Sequence, residues 1–218
     1  MIPKHIRGAI FDLDGTLFDS MGVWMEVDRN FLNKRKIAMP EDYHDEIKSR
    51  NFPEAAKYTK ARFSLTDTEE EIMREWMEMT ALSYANDVVL KPHARDYLVS
   101  LRKRGIKLAV ATSSKRRLYQ PVFDRYGLSD FFETVVTTEE TSPKHLPHVY
   151  NEAAKRLGLP PQACAVYEDI LVGIKSAKAA GFYAVAVSDH ASAAEEAALR
   201  AVADEYILSF KELTEEQP

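Results

Sequence analysis

Apolar residues in this chain fall into short runs separated by longer, mixed stretches. The first is Ile6-Arg7-Gly8-Ala9-Ile10-Phe11; others cover 107–111, 134–137, 163–167 and 183–187. Runs this short and this apolar fit strands buried on both faces. Gly105, Gly127, Gly158 and Gly181 each stand between a helix-like segment and the strand that follows, where a helix C-cap belongs. Strand alternating with helix predicts a parallel sheet. In such sheets ligands collect beyond the carboxyl ends of the strands.

Residues from about 20 to 88 break this rhythm and read as helices only. Trp24, Phe31, Tyr43, Phe52, Tyr58, Phe63, Trp76 and Tyr84 are spread through them at spacings that suit the core of a small bundle. Thr68-Glu69-Glu70-Glu71 forms a capping box leading into Ile72, Trp76 and Met79. An insertion placed directly after the first strand would hang over that strand's end and act as a lid.

Composition narrows the classes. A chain of 218 residues with 45% hydrophobic content forms one large or two modest domains with a real core. A net charge of −5 and a pI near 5.7, with basic residues only in short clusters such as Lys115-Arg116-Arg117, exclude a nucleic-acid footprint. No run reaches the length of a membrane span and no hydrophobic signal precedes the first strand, so a cytoplasmic protein without membrane contact is expected. The single cysteine, Cys164, has no partner for an internal disulfide and reads as a small core residue. Neither a heptad pattern nor a sticky edge strand stands out, which leaves a monomer or a weak homo-oligomer.

The candidate chemistry sits at the strand ends. Asp12 and Asp14 follow the first run, and at period two both carboxylates point the same way. Two carboxylates together call for a cation or a shared proton, and magnesium is the obvious cation. Thr112-Ser113-Ser114 follows the second run, where hydroxyls and freed amides can hold a phosphate oxygen. Lys144 lies just past the third, and Glu168-Asp169 ends the fourth ahead of a helix containing Gly173. Taken singly these are a turn, a cap, a solvated lysine and another cap. Their recurrence at successive strand ends favours a site.

With these residues the chain resembles the haloacid dehalogenase-like hydrolases over essentially its full length. The motifs stand in family order: Phe11-Asp12-Leu13-Asp14-Gly15-Thr16-Leu17, then Thr112, then Lys144, then Glu168-Asp169 with Gly173 and Ala180-Gly181 behind. The resemblance implies an α/β fold, a Rossmann-like parallel sheet core with helices on both faces (1–19 and 89–218), and an inserted all-helical cap domain (20–88). It places the chain in the subgroup of sugar phosphatases and phosphohexomutases. It further implies a magnesium-dependent phosphatase acting on a small phosphorylated metabolite such as a sugar phosphate. Asp12 would be the nucleophile that forms an aspartyl-phosphate and Asp14 the general acid and base. Asp12, the Asp14 backbone carbonyl, Asp169 and nearby Glu168 would hold Mg2+. Thr112, the Ser113 amide and Lys144 would hold the phosphoryl oxygens.

Departures from the family pattern are local. His145 and His148 replace a proline and an aspartate after Lys144, and Ile170 stands where a serine is common. Dehalogenases lack the acid at the Asp14 position. Phosphonatases need a cap lysine, for which Lys34, Lys36, Lys48, Lys57 and Lys60 offer no distinguishing context. Phosphohexomutases carry a cap histidine where Trp24 stands, so hydrolysis is favoured over mutase chemistry. Ser49-Arg50-Asn51-Phe52 occupies the family's specificity loop, with Arg50 a substrate contact, and Ser114 and Lys115 reach a distal part of the substrate. The competing class is a catalytically silent binding protein of the same fold.

Overall fold

The first apolar run becomes β1 (Gly8–Phe11), every residue of it buried, in the interior of a six-stranded sheet. The computed structural model describes residues 2–47 and 50–214, apart from the side chain of Asp45. Lys48 and Ser49, named above in the cap, lie outside the described residues. The sheet also contains β4 (Lys107–Thr112), β5 (Thr134–Thr137), β6 (Cys164–Glu168), β7 (Tyr183–Val187) and β8 (Glu205–Ile207), in the order β5-β4-β1-β6-β7-β8. All its pairings are parallel. Phe11 lies opposite both Val110 and Tyr167, so β1, β4 and β6 end side by side. Strand β8 was not among the expected elements: 205–207 are only three residues and two of them are half-buried, too little for an apolar run.

Helices cover both faces, as the alternation predicts. These are α5 (Ala94–Lys103), α6 (Arg116–Tyr126), α7 (His148–Arg156), α8 (Leu171–Ala179), α9 (Glu196–Val202) and α10 (Lys211–Thr214). On one face Ile10, Ala109 and Val166 pack with Val149, Tyr150 and Ala153 of α7, Ile174 and Ala177 of α8, and Leu199 of α9. On the other, Phe11 stacks on Tyr167 with ring centroids 4.3 Å apart, and Tyr97 of α5 and Phe210 close the layer. The Tyr97 and Tyr167 hydroxyls satisfy each other at 2.5 Å. The predicted C-cap glycines all take left-handed backbone, with φ between 61° and 87°.

The chain divides into two compact units, Met1–Met21 with Val89–Pro218, and Gly22–Val88. A two-stranded antiparallel ribbon, β2 (Phe18–Asp19) with β3 (Val89–Leu90), pairs the segment leaving the sheet unit with the segment returning to it. The second unit is helical: α1 (Val23–Lys34), α2 (Tyr43–Ile47), α3 (Phe52–Phe63) and α4 (Glu69–Asn86). Helices α3 and α4 both begin in capping boxes, Asn51 with Glu54 and Thr68 with Glu71. Trp76 joins the rings of Phe31 and Phe52, each centroid 5.5 Å away. The buried stripe of α4 is Ile72, Trp76, Thr80 and Tyr84. Met79 is only half-buried, because at i+4 spacing Thr80 takes the core position and satisfies its hydroxyl on the Trp76 carbonyl. Trp24, expected as packing, is 36% exposed, with one ring edge against Phe52.

Candidate active site

Strand β1 stops at Phe11, so Asp12 and Asp14 both stand past its end and the period-two argument does not place them. A tight turn does. The amides of Thr16, Leu17 and Phe18 all donate to the Leu13 carbonyl, and the Gly15 amide donates to Phe18. Gly15 turns at φ +80°, and a Cβ there would lie 2.2 Å from Asp169 Oδ2. Only glycine lets the turn approach the end of β6 this closely. Asp12 is fixed from the other side by its amide, which donates to the Tyr167 carbonyl at 3.0 Å.

The segments that follow β1 and β5 then meet the end of β6. Lys144 Nζ lies 2.5 Å from Asp12 Oδ1 and donates to both oxygens of Glu168, at 3.0 and 2.9 Å. Thr16 Oγ1 donates to Asp169 Oδ1 at 3.0 Å. Ser20 Oγ donates to Asp14 Oδ1 at 2.7 Å. A cleft of about 170 Å³ opens among Asp12, Asp14, Ser113, Lys144, Glu168 and Asp169, with Met21 and Ile170 as its apolar lining. Asp12, Lys144, Glu168 and Asp169 are all at least nine-tenths buried.

Burial dominates the electrostatics. It lifts the carboxyl of Asp12, against the pull of Lys144, and lifts Glu168 well above the usual carboxylate range, with Asp12 adding to it. Burial and then Asp12 push Asp169 up to about 7. Lys144 is pulled down by burial, but Asp12 and Glu168 outweigh this and hold it protonated. Three carboxylates around one ammonium leave two negative charges uncompensated when all are ionised. One oxygen from each of Asp12, Glu168 and Asp169 lies within 4.8 Å of the others. A buried all-oxygen donor set short of two positive charges fits a hard divalent cation. The Asp14 side chain is not part of this trio.

The remaining expected residues divide. Thr112 ends β4 fully buried, and its Oγ1 accepts from the Ser114 amide at 2.9 Å. Ser113 lines the cleft, whereas Lys115 is exposed and pairs with Glu139 at 3.2 Å. Arg50 belongs to the helical unit, where it pairs with Glu46 and lies over the Tyr58 ring. Of the cap lysines, Lys34 pairs with Glu75 and Lys60 donates to the Asp67 carbonyl. His148 meets Ser142 rather than His145.

Thr16, Ser20 and Tyr150 went unassigned by sequence. Thr16 lies inside the first motif, and that position was the available signal. Ser20 is six residues from Asp14, a separation closed by the turn from Leu13 to Phe18. Tyr150 has helical spacing indistinguishable from core packing.

Known proteins resemble this chain over most of its length. A family model described as haloacid dehalogenase-like hydrolase matches residues 6–181. Hexitol phosphatase A of Escherichia coli K12 is 30% identical over 184 residues, covering 84% of this chain and 83% of its own. A phosphorylated carbohydrates phosphatase of Thermotoga maritima is 26% identical over 177 residues, 81% of this chain and 82% of its own. The crystal structure of a candidate β-phosphoglucomutase from Thermotoga maritima superposes with a TM-score of 0.84 at 25% identity, covering 96% of this chain and 97% of that one.

Proposed function

The chain belongs to the haloacid dehalogenase-like hydrolases, and from that premise we propose that it is a phosphatase of a phosphorylated carbohydrate, working through an aspartyl-phosphate on Asp12. The observation that carries this reading is the junction of Asp12, Lys144, Glu168 and Asp169, from the segments that follow β1 and β5 and the end of β6. Magnesium, held by Asp12, Asp169 and Glu168, would supply positive charge against the phosphoryl oxygens.

Asp12 is assigned the attack on phosphorus, and Lys144 beside it favours its ionised form and offers positive charge to the transferring group. Asp14 has the role of proton donor to the leaving alkoxide and then of base toward the water that releases phosphate. The Ser20 hydroxyl donates to Asp14 Oδ1 and so helps to fix the orientation of that carboxyl. Thr112 and the Ser113 amide are assigned to the phosphoryl oxygens. The choice of leaving group is assigned to the helical unit, Arg50 included, with Ser114 and Lys115 reaching a distal group. Of the five cap lysines, Lys34 and Lys60 are engaged with Glu75 and the Asp67 carbonyl, which disfavours those two as Schiff-base groups, since a lysine that forms a Schiff base must lose its proton. Trp24 in place of a cap histidine favours hydrolysis over phosphohexomutase chemistry.

The test is release of inorganic phosphate from a panel of phosphorylated sugars and hexitols, nucleotides and a phosphonate, with magnesium and with chelator. We expect magnesium-dependent release from a carbohydrate phosphate, lost in Asp12→Asn with the fold intact. Asp14→Asn is expected to lose at least 100-fold in kcat, the lower end of general acid catalysis. Unchanged turnover in Asp12→Asn overturns the assigned nucleophile. No release by the wild type from any compound moves the protein to the silent binding class.

A further inference from the structure

Lys144 has three N–H donors, and the structure commits all of them: one to Asp12 Oδ1 and one to each oxygen of Glu168. An ammonium so occupied cannot also bind a phosphoryl oxygen. Taking hold of that oxygen therefore requires Lys144 to release a carboxylate oxygen in a fully buried site. Releasing Asp12 is unproductive, since that contact holds the attacking carboxylate in place. The oxygen given up is then one of Glu168, whose side chain is wholly buried and has no solvent to turn to, its other oxygen being the one offered to the cation.

Beside it stands an unused donor. The Tyr150 hydroxyl, on α7, is fully buried and has no hydrogen-bond partner among the described residues. It meets Glu168 over Gly173: a Cβ built on that glycine would lie 2.7 Å from the Tyr150 hydroxyl oxygen, 2.7 Å from Glu168 Cγ and 2.9 Å from its carboxyl carbon. The absence of a side chain at 173 thus leaves room there for both the hydroxyl and the carboxyl. A buried hydroxyl without a partner costs stability, and its retention in the resting arrangement asks for a state in which it is used.

We propose that Tyr150 is a positioning residue that takes over the Glu168 oxygen when Lys144 turns to the phosphoryl group, so that Lys144 can change partners without stranding a buried carboxylate. This rests on the phosphatase reading above. In the resting protein Tyr150 contributes no hydrogen bond; in the phosphate-bound protein it donates to Glu168.

The two states separate the role from ordinary packing. Tyr150→Phe keeps the ring and removes only the hydroxyl, so the thermal midpoint of the ligand-free variant is expected to equal or exceed that of the wild type. Affinity for inorganic phosphate in the presence of magnesium, measured by calorimetry, is expected to fall about tenfold, the weight of one hydrogen bond to a charged group. KM should rise in parallel. A midpoint lowered by several degrees places the hydroxyl in the resting structure and overturns the inference, whatever the binding. Unchanged phosphate affinity and KM overturn it as well. Both leave the phosphatase reading standing, since the wild type still turns over; a wild type that neither binds nor releases phosphate removes both.

Discussion

At the scale of single residues, burial decides what each polar group can do. Asp12, Lys144, Glu168 and Asp169 share one dry junction, and each carboxyl there is held above its ordinary range by burial. The motif residues were legible in the sequence because their types and order are constrained by chemistry. What sequence could not show is that Lys144 is already committed to Asp12 and Glu168, since those pairings join residues 132 and 24 positions apart. Cys164 gives a pH-dependent prediction away from the site. Burial pushes its thiol from 9.0 up to about 11, so the protonated thiol is favoured by the fold. A raised folded-state pKa means that this contribution to stability is present below about pH 9 and is lost as pH rises toward 11. Alkylation of Cys164 at pH 8 is accordingly expected to be no faster than global unfolding, and immediate labelling in native buffer contradicts its burial.

At the scale of elements, local signals worked where local forces decide. The Thr68 capping box is present as the sequence predicts, with the Glu71 amide donating to Thr68 Oγ1 at 3.2 Å and Glu71 Oε2 accepting from the Thr68 amide at 2.7 Å. Thr68→Ala is expected to lower stability by about 1 kcal/mol in urea titration, with activity unchanged, because the lost bond is confined to the first turn of α4. The β5 and β7 boundaries, 134–137 and 183–187, agree with the apolar runs. Strand β8 escaped notice, as did the β2–β3 ribbon. Each of these strands has only two or three residues, and each exists because a partner edge satisfies its backbone rather than through a pattern of its own. The Met79 and Thr80 exchange has the same origin: a helix shows which residues share a stripe, but its neighbours set which edge of the stripe is covered.

At the scale of the whole molecule, metal binding and folding are linked. A cation that binds the Asp12, Glu168 and Asp169 trio only in the folded chain stabilises it by RT ln(1 + [L]/Kd), about 2.7 kcal/mol at a hundredfold excess over Kd. Magnesium is therefore expected to raise the thermal midpoint and chelator to remove the increase. In Asp169→Asn the increase should largely vanish; an equal increase there would place the cation elsewhere. Among the described residues no helix is long and apolar enough to cross a membrane. The sequence by itself determined the alternation that builds a parallel sheet, the helical character of the stretch after β1, and the residue types gathered at the strand ends. Those are properties of local periodicity and side-chain chemistry, which travel with the residues. The tertiary structure alone decided the tight turn that brings Gly15 against Asp169, the Ser20 hydroxyl on Asp14, and the unpaired Tyr150 hydroxyl beside Glu168. Each depends on the distance between segments far apart in the chain, and no local pattern encodes that distance.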